Sequence, residues 1–569
     1  METKIHDNFA LDDLLDTSPQ DADVTPCLNK SLPYVLDSQA GNGAYTSGQV
    51  MFNAEYLASS SNYNDWSNAY IAMPFQMKLE GAYTTGSKTI TANAGLTCCD
   101  YLTSMKNNSL INSITVSQGG RNIVAGSSSL AHLVNYKMLS TWDEETLKKQ
   151  GPEINFEPDS EDSYLFVAGA TNNGVTNNQN VLTDAQCVSS TGSYAIRSPI
   201  NKGMLTRQRR LWGRPIAALQ TTAQQKTECL PYQTTSSLTT PTVGGATATM
   251  SDIHFVAIVK LKDLSDYFDK HPKFTKGVGY QITVNVNQAV TTVACASSTT
   301  PMAIIPTAAD FSTATIGGAT AQPAMLCIGP NTPAAFTTLS GADVLTLTLT
   351  AQIDTDSTNQ RLSGVRLYVP SYELQSSTVE QIQRSVATKE KTFMDYYTTR
   401  ISTLQSGVAT SAQIASGLTN AKAIIIVPQV AASILGSASE TSPYNPVPGC
   451  TDPLLSLTNV NIKLGSKFVL SDRVSYGFQQ FIDNNAELFA LNGNNSTQTS
   501  GLINYNMFKN NYRYYTYDLS RIQKNQEESP QMISIEATNN SAVSIDLVVF
   551  VLYGRKVSYN MTAGGMTVD

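Results

Sequence analysis

The chain has 569 residues, enough for several domains with real cores. Its formal charge is −8 and only 14% of its residues are charged, against about 25% in typical globular proteins. That balance disfavours a dedicated polyanion-binding domain, and an apolar content of 41% excludes a disordered chain. Four histidines (His6, His132, His254 and His271) are thin material for acid–base or metal chemistry in a chain this long.

Residues 1–29 read as an acidic arm. Its first 26 residues carry seven carboxylates and one lysine, and Phe9, Leu11, Leu14 and Leu15 fall at helical spacing. Two readings stay open: a disordered tail, or an arm that orders on a partner. No basic, then apolar, leader opens the chain. The longest apolar runs, such as 547–553, are far shorter than the ~20 residues a membrane helix needs. A product of the cytosol without a membrane span is expected. The eight cysteines form no C-x-x-C pair, which fits free thiols in a reducing compartment.

From about residue 30 the dominant signal is strand periodicity. Ile282, Val284 and Val286 alternate with polar residues, as do Leu345, Leu347 and Leu349; Val365, Leu367 and Val369; Val460, Ile462 and Leu464; and Val543, Ile545 and Leu547. Such runs are half-buried antiparallel strands. The more continuously apolar 253–261 and 423–427 predict strands covered on both faces. Segment 113–123 reads as a hairpin, with Gly119 and Gly120 supplying the positive-φ turn. Helices are predicted over 129–149, from a capping box at Ser377 and Glu380 to about Lys391, and briefly over 264–269 before Pro272. Long Thr/Ala/Ser/Asn-rich loops separate the strand blocks, which cover about 30–290 and 335–569. Two all-β sandwiches in tandem follow from this pattern.

Chemistry-bearing motifs are sparse. Segment 81–89 nearly matches a phosphate loop, but its lysine comes one residue late and no helix is predicted to follow. Asp354 and Asp356 open like a calcium loop, yet lack the glycine and the closing glutamate; Asp159, Glu161 and Asp162 form a second acidic cluster. Each is either a weak structural cation site or a solvated loop. No cofactor is expected, and no enzymatic activity. One basic cluster stands out: Lys202, Arg207, Arg209, Arg210 and Arg214 around Trp212. It reads as a nucleic-acid contact, as an inter-subunit contact, or as a solvated loop. Tyr512, Tyr514, Tyr515 and Tyr517 read either as strand packing or as the aromatic lining of a binding groove.

Several of these segments, namely 112–123, 255–268 followed by 276–287, 365–374, 424–428 and 517–559, resemble the double jelly-roll major capsid proteins of double-stranded DNA viruses, most closely those of polinton-like viruses and virophages. The resemblance spans most of 40–569. It implies two tandem eight-stranded jelly rolls with a few helical insertions and long loops, the first over 30–300 and the second over 301–569, with 301–335 as a linker. In it, segment 276–287 closes the first roll and segments 365–374 and 424–428 belong to the second. It further implies a homotrimeric, pseudo-hexameric capsomer that tiles an icosahedral virion shell, with penton and other minor capsid proteins and non-specifically contacted packaged DNA as partners. The alternative is a β-sandwich glycan-binding adhesin or fibre protein.

Overall fold

The computed structural model of the chain describes residues 27–37, 45, 48–83, 110–159, 203, 206–207, 210, 232–235, 248–296, 315–316, 319–320, 344–354, 364–385, 388–431, 455–465, 467–469, 476–491, 501–519, 531–541, 544–560 and 566–568. Its main strands sort into two sets of eight. The first comprises β1 (Tyr34–Leu36), β2 (Gln49–Asn53), β3 (Tyr70–Tyr83), β4 (Ile111–Gln118), β5 (Arg121–Val124), β6 (Ala248–Lys260), β7 (Gln281–Val286) and β8. Strand β8 comes in two pieces, Val344–Ile353 and Arg366–Tyr368, which pair with successive stretches of β3. Hydrogen bonding orders one sheet β1-β8-β3-β6 and the other β2-β7-β4-β5, all antiparallel.

The second set is β9 (Thr388–Leu404), β10 (Ala409–Leu418), β11 (Ala421–Val430), β12 (Leu457–Leu464), β13 (Lys467–Phe468), β14 (Tyr515–Asp518), β15 (Gln531–Asn539) and β16 (Ile545–Asn560). Its sheets run β9-β16-β11-β14 and β10-β15-β12-β13. Both sets therefore share one order: first-eighth-third-sixth facing second-seventh-fourth-fifth. This is the double Greek key of a jelly roll.

The local reasons are those of ordinary antiparallel sheets. Along β7 Ile282, Val284 and Val286 point inward and their neighbours outward. Strands β4 and β5 turn at Gly119 and Gly120, with φ of +53° and +80°, a conformation that a Cβ would strain. Phe52, Phe75, Ile114, Val116 and Ile282 fill the first core, and Ile424, Ile426, Val460, Ile462, Ile533 and Ile535 lie in the second.

The strand pairings move the expected boundary. The pieces of β8 pair with β3 and β1, so the first sandwich continues to Tyr368, well past residue 300. Segment 276–287 supplies the seventh strand, not the last, and 365–369 completes the first sandwich instead of opening the second. The insertion before β8 hides this from sequence, because it separates two strands that pair only in space. Strand Ser371–Leu374 then pairs with Cys27–Ser31 and Tyr63–Asn64 in a small sheet at the crossover.

Helices punctuate the same connection in both sandwiches. Between β5 and β6 lie α1 (Leu130–Thr141) and α2 (Glu144–Gln150). The expected single helix is broken at Asp143, whose side chain accepts from the Thr146 N–H and caps α2. Next come α3 (Leu261–Leu264), α4 (Asp266–Asp269) and α5 (Ser376–Ser385). Helix α5 stops short of Lys391 because residues 388–401 pair along β16. Between β13 and β14 lie α6 (Phe478–Leu491) and α7 (Tyr505–Asn510), which sequence periodicity did not predict.

Candidate functional site: the seam between the sandwiches

The two sandwiches are joined by a buried seam. In β11 the run 423–427 is fully buried, as expected of a strand covered on both faces. In β16 residues 545–551 are also all buried, so this strand is covered on both faces rather than on one. One face meets the partner sheet β10-β15-β12-β13. The other meets the first sandwich: Ile425 and Leu552 line a cleft of about 90 Å³ with Leu133, Lys137, Asp263 and Met394. Burial raises the pKa of Asp263 there, against the pull of Lys137 and its neighbours.

Polar groups lock the seam in register. From α1, His132 lies 2.8 Å from Gln429 on β11. The Tyr136 hydroxyl donates to Asn485 of α6 at 2.5 Å and accepts from Thr516 of β14 at 3.3 Å. Its complete burial raises its pKa. The Leu502 N–H donates to the Leu139 carbonyl at 2.8 Å. Beside it Gly501 has a φ of +65°, and a Cβ there would lie 2.5 Å from the Leu139 oxygen. Close approach and backbone conformation both demand glycine.

Further along, the Asp266 carboxylate accepts from the Met394 N–H at 2.9 Å. The Tyr396 hydroxyl donates to the Ser127 carbonyl at 3.1 Å. Arg555 on β16 donates to the Ile123 carbonyl on β5 and pairs with Asp395 at 3.3 Å. At the far end Tyr559 donates to the Tyr267 hydroxyl at 3.0 Å, and Tyr267 and Tyr280 are 2.5 Å apart. Tyr280 lies 2.7 Å from Nε2 of His271, whose Nδ1 lies 2.8 Å from the Pro272 carbonyl. Because a carbonyl only accepts, Nδ1 carries the proton and Nε2 accepts from Tyr280. Burial lowers the His271 pKa to about 4, so the ring is neutral at pH 7.

The residues singled out by sequence fall elsewhere. Arg207 is completely buried and donates to Asp159 at 2.8 Å and to the Glu157 carbonyl. Arg210 pairs with Glu157 at 2.7 Å and donates to the Phe156 carbonyl at 2.9 Å. These two arginines do not form an exposed basic patch; they anchor their own chain to the segment after α2. Lys202, Arg209 and Arg214 lie outside the described residues, as do Phe9, Leu11, Leu14 and Leu15. The pairing with Arg207 also gives Asp159 a cation supplied by the protein itself.

Asp354 is likewise engaged, at 2.7 Å from Nδ1 of His254, while Asp252 lies 3.2 Å from Nε2. Burial alone would depress the His254 pKa. The hydrogen bonds and charges of the two carboxylates outweigh it and raise the value to about 9. The tyrosine stripe 512, 514, 515 and 517 is entirely buried, so it packs the core and lines no groove. Among the described residues no group of three or more His, Cys, Asp or Glu is placed to hold a metal ion, and no helix is long and apolar enough to cross a membrane.

The seam residues carried no sequence signal. Tyr136 and Asn485 are 349 positions apart, and Tyr267 and Tyr559 292. Of the two runs expected to be covered on both faces, 423–427 is, whereas residues 256–260 of β6 are only half-buried, so 253–261 keeps one face open.

No protein-family model and no curated protein matches the chain. Among solved structures it is similar to a chain of the Sputnik virophage, with a TM-score of 0.48 and 10% identity over 97% of this chain and 91% of that one. It is also similar to the Faustovirus major capsid protein, with a TM-score of 0.41 and 10% identity over 96% and 93%. For a chain of the PBCV-1 virus capsid the values are 0.35 and 9% over 95% and 97%. Scores below 0.5 leave the strand orders, not these likenesses, as the ground for the fold: two jelly-roll sandwiches in tandem, joined through a buried, hydrogen-bonded seam.

Proposed function

We propose that the chain is a major capsid protein of a double-stranded DNA virus. Three copies close into a capsomer of pseudo-hexagonal outline, and capsomers tile an icosahedral shell. The observation that carries this reading is the repetition of one strand order in two sandwiches locked side by side within one chain. Two like units per chain let three chains set six similar units around one axis. The low charge density supports it, since neighbouring walls then meet without strong like-charge repulsion. The role is structural rather than catalytic.

On this reading the partners are further copies of the chain, penton proteins at the five-fold vertices and other minor capsid proteins. The protein is made in the host cytosol and resides in the virion. Contact with packaged DNA is not assigned to Arg207 and Arg210, because both guanidiniums are bound to carboxylates of their own chain. The adhesin alternative needs an exposed aromatic groove, and the tyrosine stripe does not provide one.

Light scattering followed by electron microscopy of the purified protein tests the reading. The expected species has three times the 61.3 kDa chain mass and a hexagonal outline. An elongated monomer that stays monomeric with rising concentration would overturn it.

A further inference from the structure

The cleft at the seam has walls of two kinds. Leu133 of α1, Ile425 of β11 and Leu552 of β16 are apolar, whereas Lys137 of α1, Asp263 of α3 and Asp266 of α4 carry its charges. The apolar walls come from both sandwiches, and the charges come from the first alone. Two carboxylates against one ammonium leave the lining net negative.

The chain does not neutralise this excess with its own cations. Lys137 directs its ammonium to the Lys262 carbonyl, 3.5 Å away, and Lys260 is paired with Glu153 at 2.7 Å. Among the described residues neither Asp263 nor Asp266 has an ion-pair partner within 4.0 Å. Asp266 accepts from the Met394 N–H, whereas the Asp263 carboxylate has no hydrogen-bond donor among the described residues. Burial pushes the Asp263 pKa up although Lys137, Lys262 and Lys260 all pull it down, so the lysines do not offset the desolvation of this carboxylate.

A carboxylate set beside an apolar wall matches an ammonium on an aliphatic stem. The charge gains a charge-assisted hydrogen bond, and the methylenes leave water. An apolar cavity of ~150 Å³ holds benzene, so a cleft of about 90 Å³ has room for a chain of about four carbons. We infer that the cleft binds a short aliphatic amine, with its ammonium at Asp263 and its methylenes against Leu133, Ile425 and Leu552. Such an occupant touches both sandwiches, so its binding holds the seam closed and stabilises the folded chain.

The probe is n-butylamine, with n-butanol and butyrate as controls of the same chain length. Each is titrated into the full chain at fixed pH and ionic strength, with saturation-transfer NMR and thermal melting as readouts. The wild type is expected to bind the amine about ten-fold or more tighter than the alcohol, the worth of a hydrogen bond to a charged group, and butyrate more weakly still. The amine should raise the melting temperature more than either control. Asp263→Asn is expected to bind amine and alcohol alike. Leu552→Phe, which narrows the cleft, is expected to lose both while still melting cooperatively. Equal affinity of the wild type for amine and alcohol overturns the assignment. So does an amine preference that survives in Asp263→Asn or in folded Leu552→Phe. These readouts do not depend on self-association, so a failure here leaves the capsomer reading standing.

Discussion

The two sandwiches share a strand order but not a surrounding. In the second, the β9-β16-β11-β14 sheet is a middle layer, with Ile545 to Val551 buried without interruption. In the first, the corresponding β1-β8-β3-β6 sheet keeps Tyr34 and Leu36 exposed on its outer face. One topology thus serves as an interior wall in one half and as an outward wall in the other. Strand order does not fix which faces are apolar; the neighbour does.

The comparison breaks most sharply at equivalent strands. Phe550, inside the doubly covered sheet, should cost about 3–5 kcal/mol when cut to alanine. Leu36→Ala should cost less than about 1 kcal/mol, because water already reaches that side chain. Urea unfolding of the two variants measures both, and equal losses would refute the contrast.

Two of the buried histidines sharpen it through pH. His254, held in the first sandwich between Asp252 and Asp354, has a folded pKa raised to about 9. Its contribution is fully present below about pH 6.5, the unfolded value, and is lost as pH rises through 9; the size is on the order of 3 kcal/mol. His271, at the seam, has a folded pKa lowered to about 4. Its contribution is present above about pH 6.5 and is lost as pH falls toward 4. Melting temperature against pH should therefore peak near neutrality. His254→Gln should flatten the alkaline limb and leave the acid limb in place, whereas His271→Gln should do the reverse.

Tyr136→Phe should cost about 1–2 kcal/mol, because it removes the donor to buried Asn485 and the acceptor for Thr516. The loss should show as earlier separation of the sandwiches, followed by proteolysis between them. A small effect is expected at Asp143→Ala, whose exposed side chain caps α2 through the Thr146 N–H; calorimetry should show a slight drop in melting temperature.

Legibility in the sequence followed the range of the interaction. The hairpin at Gly119 and Gly120, the alternation in β7 and the double cover of 423–427 are written within a dozen residues, and they were readable. Two tandem sandwiches followed from them. The end of the first sandwich was not readable, because β8 belongs beside β3 only by pairing across a long insertion. Arginines 207 and 210 looked like a patch because their partners, Asp159 and Glu157, lie about 50 positions away. The seam was invisible for the same reason: its hydrogen bonds join segments hundreds of residues apart.

The late return of β8 to β1 also sets a timetable for synthesis. Val35 finds its ladder partner only in Leu367, so the first sheet cannot close until that residue has left the ribosome. At ~5–20 residues per second, that leaves β1 without its neighbour for roughly 15–65 s. During that interval the strand at the end of the first sheet is an open edge. Early partners for the nascent chain, rather than stability of the finished sandwich, then govern how much protein reaches the folded state.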